Sequence, residues 1–233
     1  PNNAVLVIAG DIDIEKTKSL VEGYFGPIQT GAAIARNPAR EDEITKEVVD
    51  TAYDNNIQIP AIMTAYRTPG LTSKESIALR LASDVLSTGQ SSRMYKKMVD
   101  DKKNSLQVGT FNYSLEDYGA YIVYALPNGD TKLQDLLKDM DEEIVKLQNE
   151  LISETEFTKI RNQYENEYIG TNAKMLGVAE NLADGYTFYN KNTNHINEDL
   201  DEVRKVTRED IQAVVKKYLN PNQRVVLYYL PKK

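Results

Sequence analysis

Hydrophobic periodicity divides the chain into strand-like and helix-like segments. Runs that are continuously apolar or rich in β-branched and aromatic residues predict strands at residues 4–10, 47–53, 61–66, 106–111, 118–126 and 224–230. Apolar residues recur every three or four positions at residues 14–25, 77–86, 133–151, 157–168, 175–186 and 211–219, as in amphipathic helices. The helices occur in blocks and do not alternate singly with strands. This order predicts an α+β fold, a mostly antiparallel sheet with helices packed on one face.

Polar residues typical of helix starts precede several of the helical segments. A Ser or Thr followed three residues later by an acid can cap the backbone N–H groups of a helix. The pairs that match are Thr72 with Glu75, Ser153 with Glu156, and Thr207 with Asp210. Ser91 or Ser92 is expected to cap a further short helix that ends at Met98, after Gly89 breaks the preceding one.

A domain boundary is predicted near residue 40. Residues 29–40 hold small residues, a Gly and a Pro, as linkers do. Residues 1–7 also resemble residues 221–227, which follow a helix and lead into the last predicted strand. We therefore expect residues 1–40 to be the last strand and helix of a preceding domain plus a linker, and residues 41–233 to be a complete second domain. Because Pro1 is not a natural start, we expect a piece of a longer protein, from which a targeting segment could be missing.

Composition narrows the possible partners. The chain has 233 residues, 28 Lys plus Arg against 35 Asp plus Glu, and a net charge of −7, which argues against nucleic acid or an anionic membrane as its main partner. No apolar run approaches the roughly 20 residues of a membrane-spanning helix. The absence of Cys removes disulfides, thiolate metal ligands and Cys nucleophiles together.

The chemistry-bearing residues favour structural roles. His195 is the only histidine, so a metal site with two imidazoles is excluded, and no Gly-x-Ser-x-Gly motif accompanies it. A metal at His195 would need Glu198 and Asp199, and we interpret His195 as an exposed structural residue. The acidic clusters at residues 139–143 and 198–202 lack the Gly turn of a calcium loop, and we interpret them as solvated helix faces.

Two further features have a structural interpretation. Residues 89–93 could bind an anion at a helix start, but they lack the Lys and the Gly spacing of a P-loop. We interpret them as a turn between helices, with Arg93 as a packing or surface residue. The chain also has 15 Tyr. Strand propensity accounts for Tyr121, Tyr124, Tyr228 and Tyr229, and helix-to-sheet packing is expected of Tyr186, Tyr189 and Tyr218.

Several segments in consistent order resemble one family. Residues 1–13 and 24–28 resemble the end of the catalytic domain of insulinase/pitrilysin-type zinc peptidases. Residues 86–95, with Gly89 and Ser91-Ser92-Arg93, resemble the helix pair of the next domain, and residues 151–157 and 206–211 fit its later helix starts. The resemblance covers nearly the whole chain and is strongest to bacterial, half-length subunits.

The resemblance implies a repeated α+β unit, in the fold class of LuxS and the mitochondrial processing peptidase, that closes around an unfolded peptide. Zinc in the family is held by an inverted His-x-x-Glu-His motif, which this chain lacks and which the family places upstream of Pro1. An Arg and a Tyr that hold substrate in the family's inactive halves align with Val99 and Leu106, neither of which can serve. This departure favours the interpretation that the chain is the domain that follows the zinc-bearing domain in the same subunit.

The implied function is that of the C-terminal, non-catalytic domain of a zinc-dependent metalloendopeptidase, walling the peptide chamber. The alternatives are an inactive partner or structural subunit of a two-chain peptidase, or a free peptide-binding module. The parent protein is expected to be a zinc metallopeptidase, and the chain alone is expected to be inactive. We expect no catalytic or metal-binding residue and no cofactor here, zinc in the parent protein, and substrate-binding residues that the sequence does not identify. Expected partners are unfolded peptide, the catalytic N-terminal domain and a second homologous half, in a bacterial periplasm or envelope.

Overall fold

A computed structural model describes residues 2–35 and 42–232. The chain divides into two compact units. The sheet unit comprises Glu43–Tyr164 and Asp201–Lys233. The N-terminal unit comprises Pro1–Asp42 and Glu165–Leu200. The last part of the predicted linker, residues 36–41, lies outside the described residues, as does Pro1 of the predicted sequence echo.

The sheet unit is built on five strands. They are β1 (Val48–Asp54), β2 (Ala61–Pro69), β3 (Ser105–Ser114), β4 (Tyr118–Pro127) and β5 (Arg224–Pro231). Their order across the sheet is β1-β5-β2-β4-β3, and only the β1–β5 pair is parallel among the described strands. The last strand therefore lies between β1 and β2, which ties the C-terminal segment to the fold.

Three of the helices cover one face of this sheet, and further helices lie elsewhere in the described part of the chain. The helices are α1 (Ile14–Phe25), α2 (Lys74–Ser87), α3 (Leu133–Asn149), α4 (Glu154–Asn172), α5 (Met175–Phe188), α6 (His195–Arg204) and α7 (Arg208–Tyr218). A π-helical segment, Tyr95–Asp101, follows α2, and a short 3₁₀ turn, Pro221–Gln223, precedes β5. Helices α2, α3 and α7 bury their apolar faces against Tyr66 of β2 and Tyr121 of β4. The α+β prediction, with a mostly antiparallel sheet and helices on one face, is confirmed.

Local capping explains where the helices start. Thr207 and Asp210 form the predicted reciprocal cap of α7, and Glu156 accepts from the backbone N–H of Ser153 at 3.1 Å while Ser153 Oγ accepts from that of Glu156 at 3.2 Å. The prediction for α2 was wrong by one residue. Its N-cap is Ser73, whose hydroxyl accepts from the backbone N–H of Glu75, and Thr72 lies outside the helix.

The predicted first strand is not a strand. Residues 4–10 form no ladder, and the side chain of Leu6 is 56% exposed. An apolar run becomes a buried strand only if a sheet edge pairs with it, and every strand of the described residues belongs to the sheet unit. Helix α1, by contrast, has its predicted bounds, with Asp13 as N-cap and Gly26 as C-cap.

The two copies of the sequence echo also differ in structure. Residues 221–227 form the 3₁₀ turn and the start of β5, whereas residues 2–7 form no strand. None of the helices in the described part of the chain has the length and apolar character that crossing a lipid bilayer requires.

Candidate functional site

The sheet has a second face that the helices α2, α3 and α7 do not cover. Cross-strand partners share a face, so the register places Phe111 and Ile122 beside Ala65, and Tyr113 and Ala120 beside Arg67. Most side chains of this open face are apolar or aromatic and remain partly exposed. A wide, apolar and accessible sheet face is a candidate binding surface.

Tyr124 is fixed on the open face above β3. It lies opposite Gly109, where a Cβ atom would be 2.5 Å from Cε1 and 2.7 Å from the hydroxyl of Tyr124. The ring therefore occupies space that only a glycine leaves open. Gln107 Nε2 donates to the Tyr124 hydroxyl at 2.9 Å, and the ring of Phe111 meets the Tyr124 ring edge-on, with centroids 6.5 Å apart. These contacts hold the aromatic ring in one orientation.

The end of the β3–β4 hairpin extends this aromatic surface. Phe111, Tyr113, Leu115 and Tyr118 are 43–58% exposed, and the guanidinium of Arg67 lies 5.6 Å from the centroid of the Tyr118 ring. We call this set, together with Tyr124, the aromatic platform. Sequence reasoning attributed Tyr124 to strand propensity and did not single out the other members.

The outer edge of β3 is closed in its middle by a side chain of α2. The backbone N–H of Thr110 donates to Ser87 Oγ at 2.7 Å, and the Ser87 hydroxyl lies 2.9 Å from Thr110 Oγ1. Thr110 Oγ1 in turn donates to the carbonyl of Ser83 at 3.2 Å. A main-chain donor that a neighbouring strand would need is thus already paired within the fold.

The acidic cluster at residues 139–143 is not a solvated helix face, as was predicted. Asp139 and Glu143 are each only 3% exposed, because the helical period of α3 turns them inward beside Met140 and Leu147. Lysines compensate their charge. Lys102 and Asn104 Nδ2 both donate to the carboxylate of Asp139, and Lys97 Nζ lies 2.7 Å from Glu142 and 3.3 Å from Glu143.

These contacts change the protonation of the cluster. Burial favours a raised pKa of Asp139, but the hydrogen bonds from Lys102 and Asn104 outweigh it and the pKa is lowered. Burial likewise opposes the charge of Lys97, and the hydrogen bonds to Glu142 and Glu143 raise its pKa. The ion pairs of this cluster link α3 to the π-helical segment and to Lys102 directly after it.

The remaining acid of the cluster, Asp141, belongs to a different network. Asp141 binds both terminal nitrogens of Arg224 on β5, and Arg224 Nε lies 2.7 Å from Glu47 Oε2. Arg224 Nη1 also donates to the Tyr66 hydroxyl at 3.1 Å. The Arg224 side chain is 5% exposed, so this network fixes the last strand beneath the helices.

His195 is less exposed than predicted. Its side chain is 13% exposed, because its ring stacks on Tyr189 with centroids 3.5 Å apart. Its Nε2 lies 3.8 Å from Asp199 Oδ1, while the carboxylate of Glu198 accepts from the side chains of Asn192 and Asn194 at 2.8 Å. The residues considered as a metal set therefore contact aromatic and amide groups. In the second acidic cluster, at residues 198–202, Glu198 and Asp201 are exposed, as expected for a solvated helix face.

The remaining sequence candidates fall on structural positions. Within residues 89–93, Ser92 Oγ donates to the Gly89 carbonyl at 2.6 Å, and the Arg93 guanidinium binds Glu156. Tyr218 donates to Glu75 on α2. Tyr186 and Tyr189 lie at the end of α5, in the unit that holds no strand among the described residues, so their packing against the sheet stays a prediction.

The two positions aligned with the substrate-holding pair of the family are both aliphatic. Val99 lies in the π-helical segment, and Leu106 is half-exposed at a bulge near the start of β3. Within residues 2–35 and 42–232, no group of three or more His, Asp or Glu side chains is placed to hold a metal ion. The single imidazole, stacked on Tyr189, does not fit a zinc site that requires two.

Comparison with known proteins identifies the family. Residues 1–164 match the family described as peptidase M16 inactive domain. The chain belongs to this family. Zinc protease PqqE of Helicobacter pylori (strain ATCC 700392 / 26695) is 23% identical over 186 residues, which are 79% of this chain and 42% of that protein. The family confirms the insulinase/pitrilysin resemblance and the prediction of a non-catalytic peptidase domain.

Solved structures share the fold of this inactive M16 domain. A protease from Helicobacter pylori superposes with a TM-score of 0.86 at 21% identity, over 95% of this chain and 54% of that chain. The periplasmic protease PqqL from Escherichia coli gives a TM-score of 0.72 at 16% identity, over 96% of this chain and 25% of that chain. The chain spans less than half the length of the curated relatives that it matches.

Proposed function

We propose that this inactive M16 domain is the C-terminal, non-catalytic part of a zinc-dependent metalloendopeptidase subunit and forms one wall of its peptide chamber. The observation that supports the proposal best is the open apolar face of the sheet. A chamber for unfolded peptide needs a wall that accepts apolar side chains, and this face offers aromatic and aliphatic groups on β2 to β5, with the acids Asp50 and Asp54 confined to the edge strand β1. The curated relatives are named zinc proteases and are about twice as long.

The proposal places zinc and catalysis in another part of the parent protein. The donor set of this chain does not fit zinc, so its residues would shape and line the chamber without acting on the scissile bond. The catalytic N-terminal domain and a second homologous half or subunit are the proposed partners, and unfolded peptide is the proposed substrate. A periplasmic or envelope location is proposed, since one structural relative is a periplasmic protease.

The proposal also assigns residues 1–40 to the end of the catalytic-type domain plus a linker, and residues 41–233 to the second domain. The exposed side chains of Val5, Leu6 and Ile8 support it, because an apolar run without a sheet partner is what a strand separated from its own sheet would be. The compact units differ from this division in one respect. Residues 165–200 group with the N-terminal residues and not with the sheet.

The deciding experiment compares the full-length native gene product with this 233-residue chain. We expect the long protein to bind zinc and cleave unfolded peptides, and the short chain to do neither. A long protein that is metal-free and inactive would contradict the proposal and favour the alternative, an inactive partner subunit. In that case the catalytic chain should co-purify with it at native expression levels. Calorimetric titration of zinc into the short chain and its His195→Ala variant checks that no site is hidden here.

A further inference from the structure

The aromatic platform differs from an ordinary patch of exposed apolar residues because its centre is preorganised. Gly109 leaves the space that the Tyr124 ring fills, Gln107 holds the Tyr124 hydroxyl, and Phe111 packs on the ring edge-on. A ring that is already fixed loses little conformational entropy when a ligand stacks on it. The site is therefore built to receive an apolar or aromatic group.

The size of the platform favours a peptide over a folded partner. Phe111, Tyr113, Leu115 and Tyr118 are about half exposed. Side chains of this size bury 150–250 Å² when fully covered, so the four offer roughly 400 Å². A stable interface between folded proteins needs about 800 Å² on each partner. Two or three side chains of an extended polypeptide would cover such a surface.

The strand edge next to the platform is closed to main-chain pairing. Ser87 Oγ occupies the backbone N–H of Thr110 at 2.7 Å, in the middle of β3. Thr110 is buried, so a peptide strand could reach this N–H only by displacing Ser87 and α2 with it. Addition of a strand along the whole of β3 would leave a buried donor or hydroxyl without a partner.

We infer that the β3–β4 hairpin holds an extended, unfolded polypeptide by its aromatic or bulky apolar side chains, which stack on the aromatic platform, and not by addition of a strand to β3. The inference rests on the proposed function, whose peptide substrate it specifies. It predicts a sequence preference for aromatic and large aliphatic residues and indifference to peptide backbone N–H groups.

The test measures binding of labelled peptides to the 233-residue chain. The probe is a short soluble peptide of Gly, Ser and Gln that carries two Phe residues. Two comparison peptides are used. One has Ala at both Phe positions, and the other keeps both Phe residues but has alternate backbone amides N-methylated. We expect the Phe peptide and its N-methylated form to bind equally, and the Ala peptide about tenfold more weakly, a loss of about 1.4 kcal/mol.

Protein variants locate the binding site. Phe111→Ala and Tyr113→Ser should each weaken binding of the Phe peptide several-fold. Tyr53→Ser is the matched control, because Tyr53 is 64% exposed, close to the 58% of Tyr113, but lies on β1, at the other edge of the sheet. Thermal melts of each variant check that the fold is intact. Tyr113→Ser changes an exposed ring, so we expect this variant to fold normally and to report on binding alone.

Three outcomes with the peptide probes would overturn the inference. They are loss of binding on N-methylation, equal binding of the Ala peptide, and no binding of the Phe peptide at millimolar concentration. The proposed function fails separately, by absence of zinc-dependent cleavage in the full-length protein. A full-length protein that cleaves peptide while Phe111→Ala and Tyr113→Ser bind the probe normally would refute only the aromatic platform.

Discussion

Arg93 and Glu156 form a two-point ion pair that links the turn after α2 to the start of α4. Arg93 Nε lies 2.9 Å from Oε1 of Glu156, and Nη2 lies 3.1 Å from Oε2. The same carboxylate accepts from the backbone N–H and the hydroxyl of Ser153. One side chain therefore caps a helix and joins two segments that are 63 residues apart in sequence.

This pair predicts an acid-sensitive contribution to stability. The hydrogen bond from Arg93 is the main cause that lowers the pKa of Glu156 to about 2, whereas an unfolded Glu titrates near 4.3. A lowered folded-state pKa stabilises the fold above the unfolded pKa, and the stabilisation is lost as pH falls from about 4.3 towards 2. At neutral pH, Glu156→Gln should have a lower free energy of unfolding in urea than the parent chain. This difference should shrink as the pH falls to about 3.

The matched control for this prediction is Glu150→Gln, which neutralises an exposed carboxylate between α3 and α4. Its difference from the parent chain should change little over the same pH range. A Glu156→Gln difference that is the same at pH 7 as near pH 3 would show that the Arg93 contact does not couple to folding.

We expect Asp139→Ala to cause a large loss of stability. Asp139→Ala leaves the amine of Lys102 and the amide of Asn104 without their shared acceptor, at a position that is 3% exposed. Removal of one partner of a buried charge pair typically costs 3–5 kcal/mol, and the partial exposure of Lys102 places the expected loss near the low end, about 3 kcal/mol. Asp100→Ala, which removes an exposed carboxylate from the π-helical segment, should cost less than about 0.5 kcal/mol. Equal urea midpoints of the two variants would contradict this.

The cluster around Asp139 also shows what the sequence could and could not predict. Local signals such as the Thr207–Asp210 cap depend on residues a few positions apart and were read correctly. The burial of Asp139 depends on Lys102, which approaches from a segment 37 residues away. A run of acids interrupted by apolar residues is compatible with either face of a helix, so its inward orientation required the tertiary fold.

The same reasoning applies to the candidate site. The strands that carry Phe111 and Tyr124 were predicted, and so were the fold class and the family. The platform itself was not, because Gly109 and Tyr124 become opposite only through the register of β3 and β4. Residues 4–10 were mispredicted for a related reason, since an apolar run indicates a strand but does not supply its partner.

Two glycines of the hairpin region predict different costs on substitution. A Cβ at Gly70 would lie 2.3 Å from the backbone carbonyl of Glu116, whereas a Cβ at Gly109 would meet the outer atoms of the Tyr124 ring. Backbone at the hairpin turn cannot move without breaking the turn, but a side chain can rotate away. We expect Gly70→Ala to cost about 3 kcal/mol and Gly109→Ala about 1 kcal/mol by urea unfolding.

Gly109→Ala should still alter the surface. Rotation of the Tyr124 ring away from β3 would break its contacts with Gln107 and Phe111, so binding of the Phe peptide should weaken even though the chain stays folded. Full binding by a folded Gly109→Ala variant would show that the fixed orientation of Tyr124 does not matter. Gly23→Ala, where a Cβ meets nothing within 4 Å in α1, controls for the substitution itself.

Ser87 predicts a coupled effect on stability and association. Ser87→Ala leaves the buried N–H of Thr110 without its acceptor, which typically costs 1–3 kcal/mol. The unpaired N–H then weakens the contact between β3 and the end of α2, and an edge strand with an unpaired donor can pair with other chains when that helix end opens. Light scattering should therefore detect concentration-dependent association of Ser87→Ala.

Thr88→Ala is the matched control. It removes a hydroxyl at the same helix end that bonds to Asp84 of α2, and this variant should stay as monodisperse as the parent chain. Association of both variants to the same degree would assign the effect to fraying of α2, and a monodisperse Ser87→Ala would show that the edge of β3 is protected by some other feature of the fold.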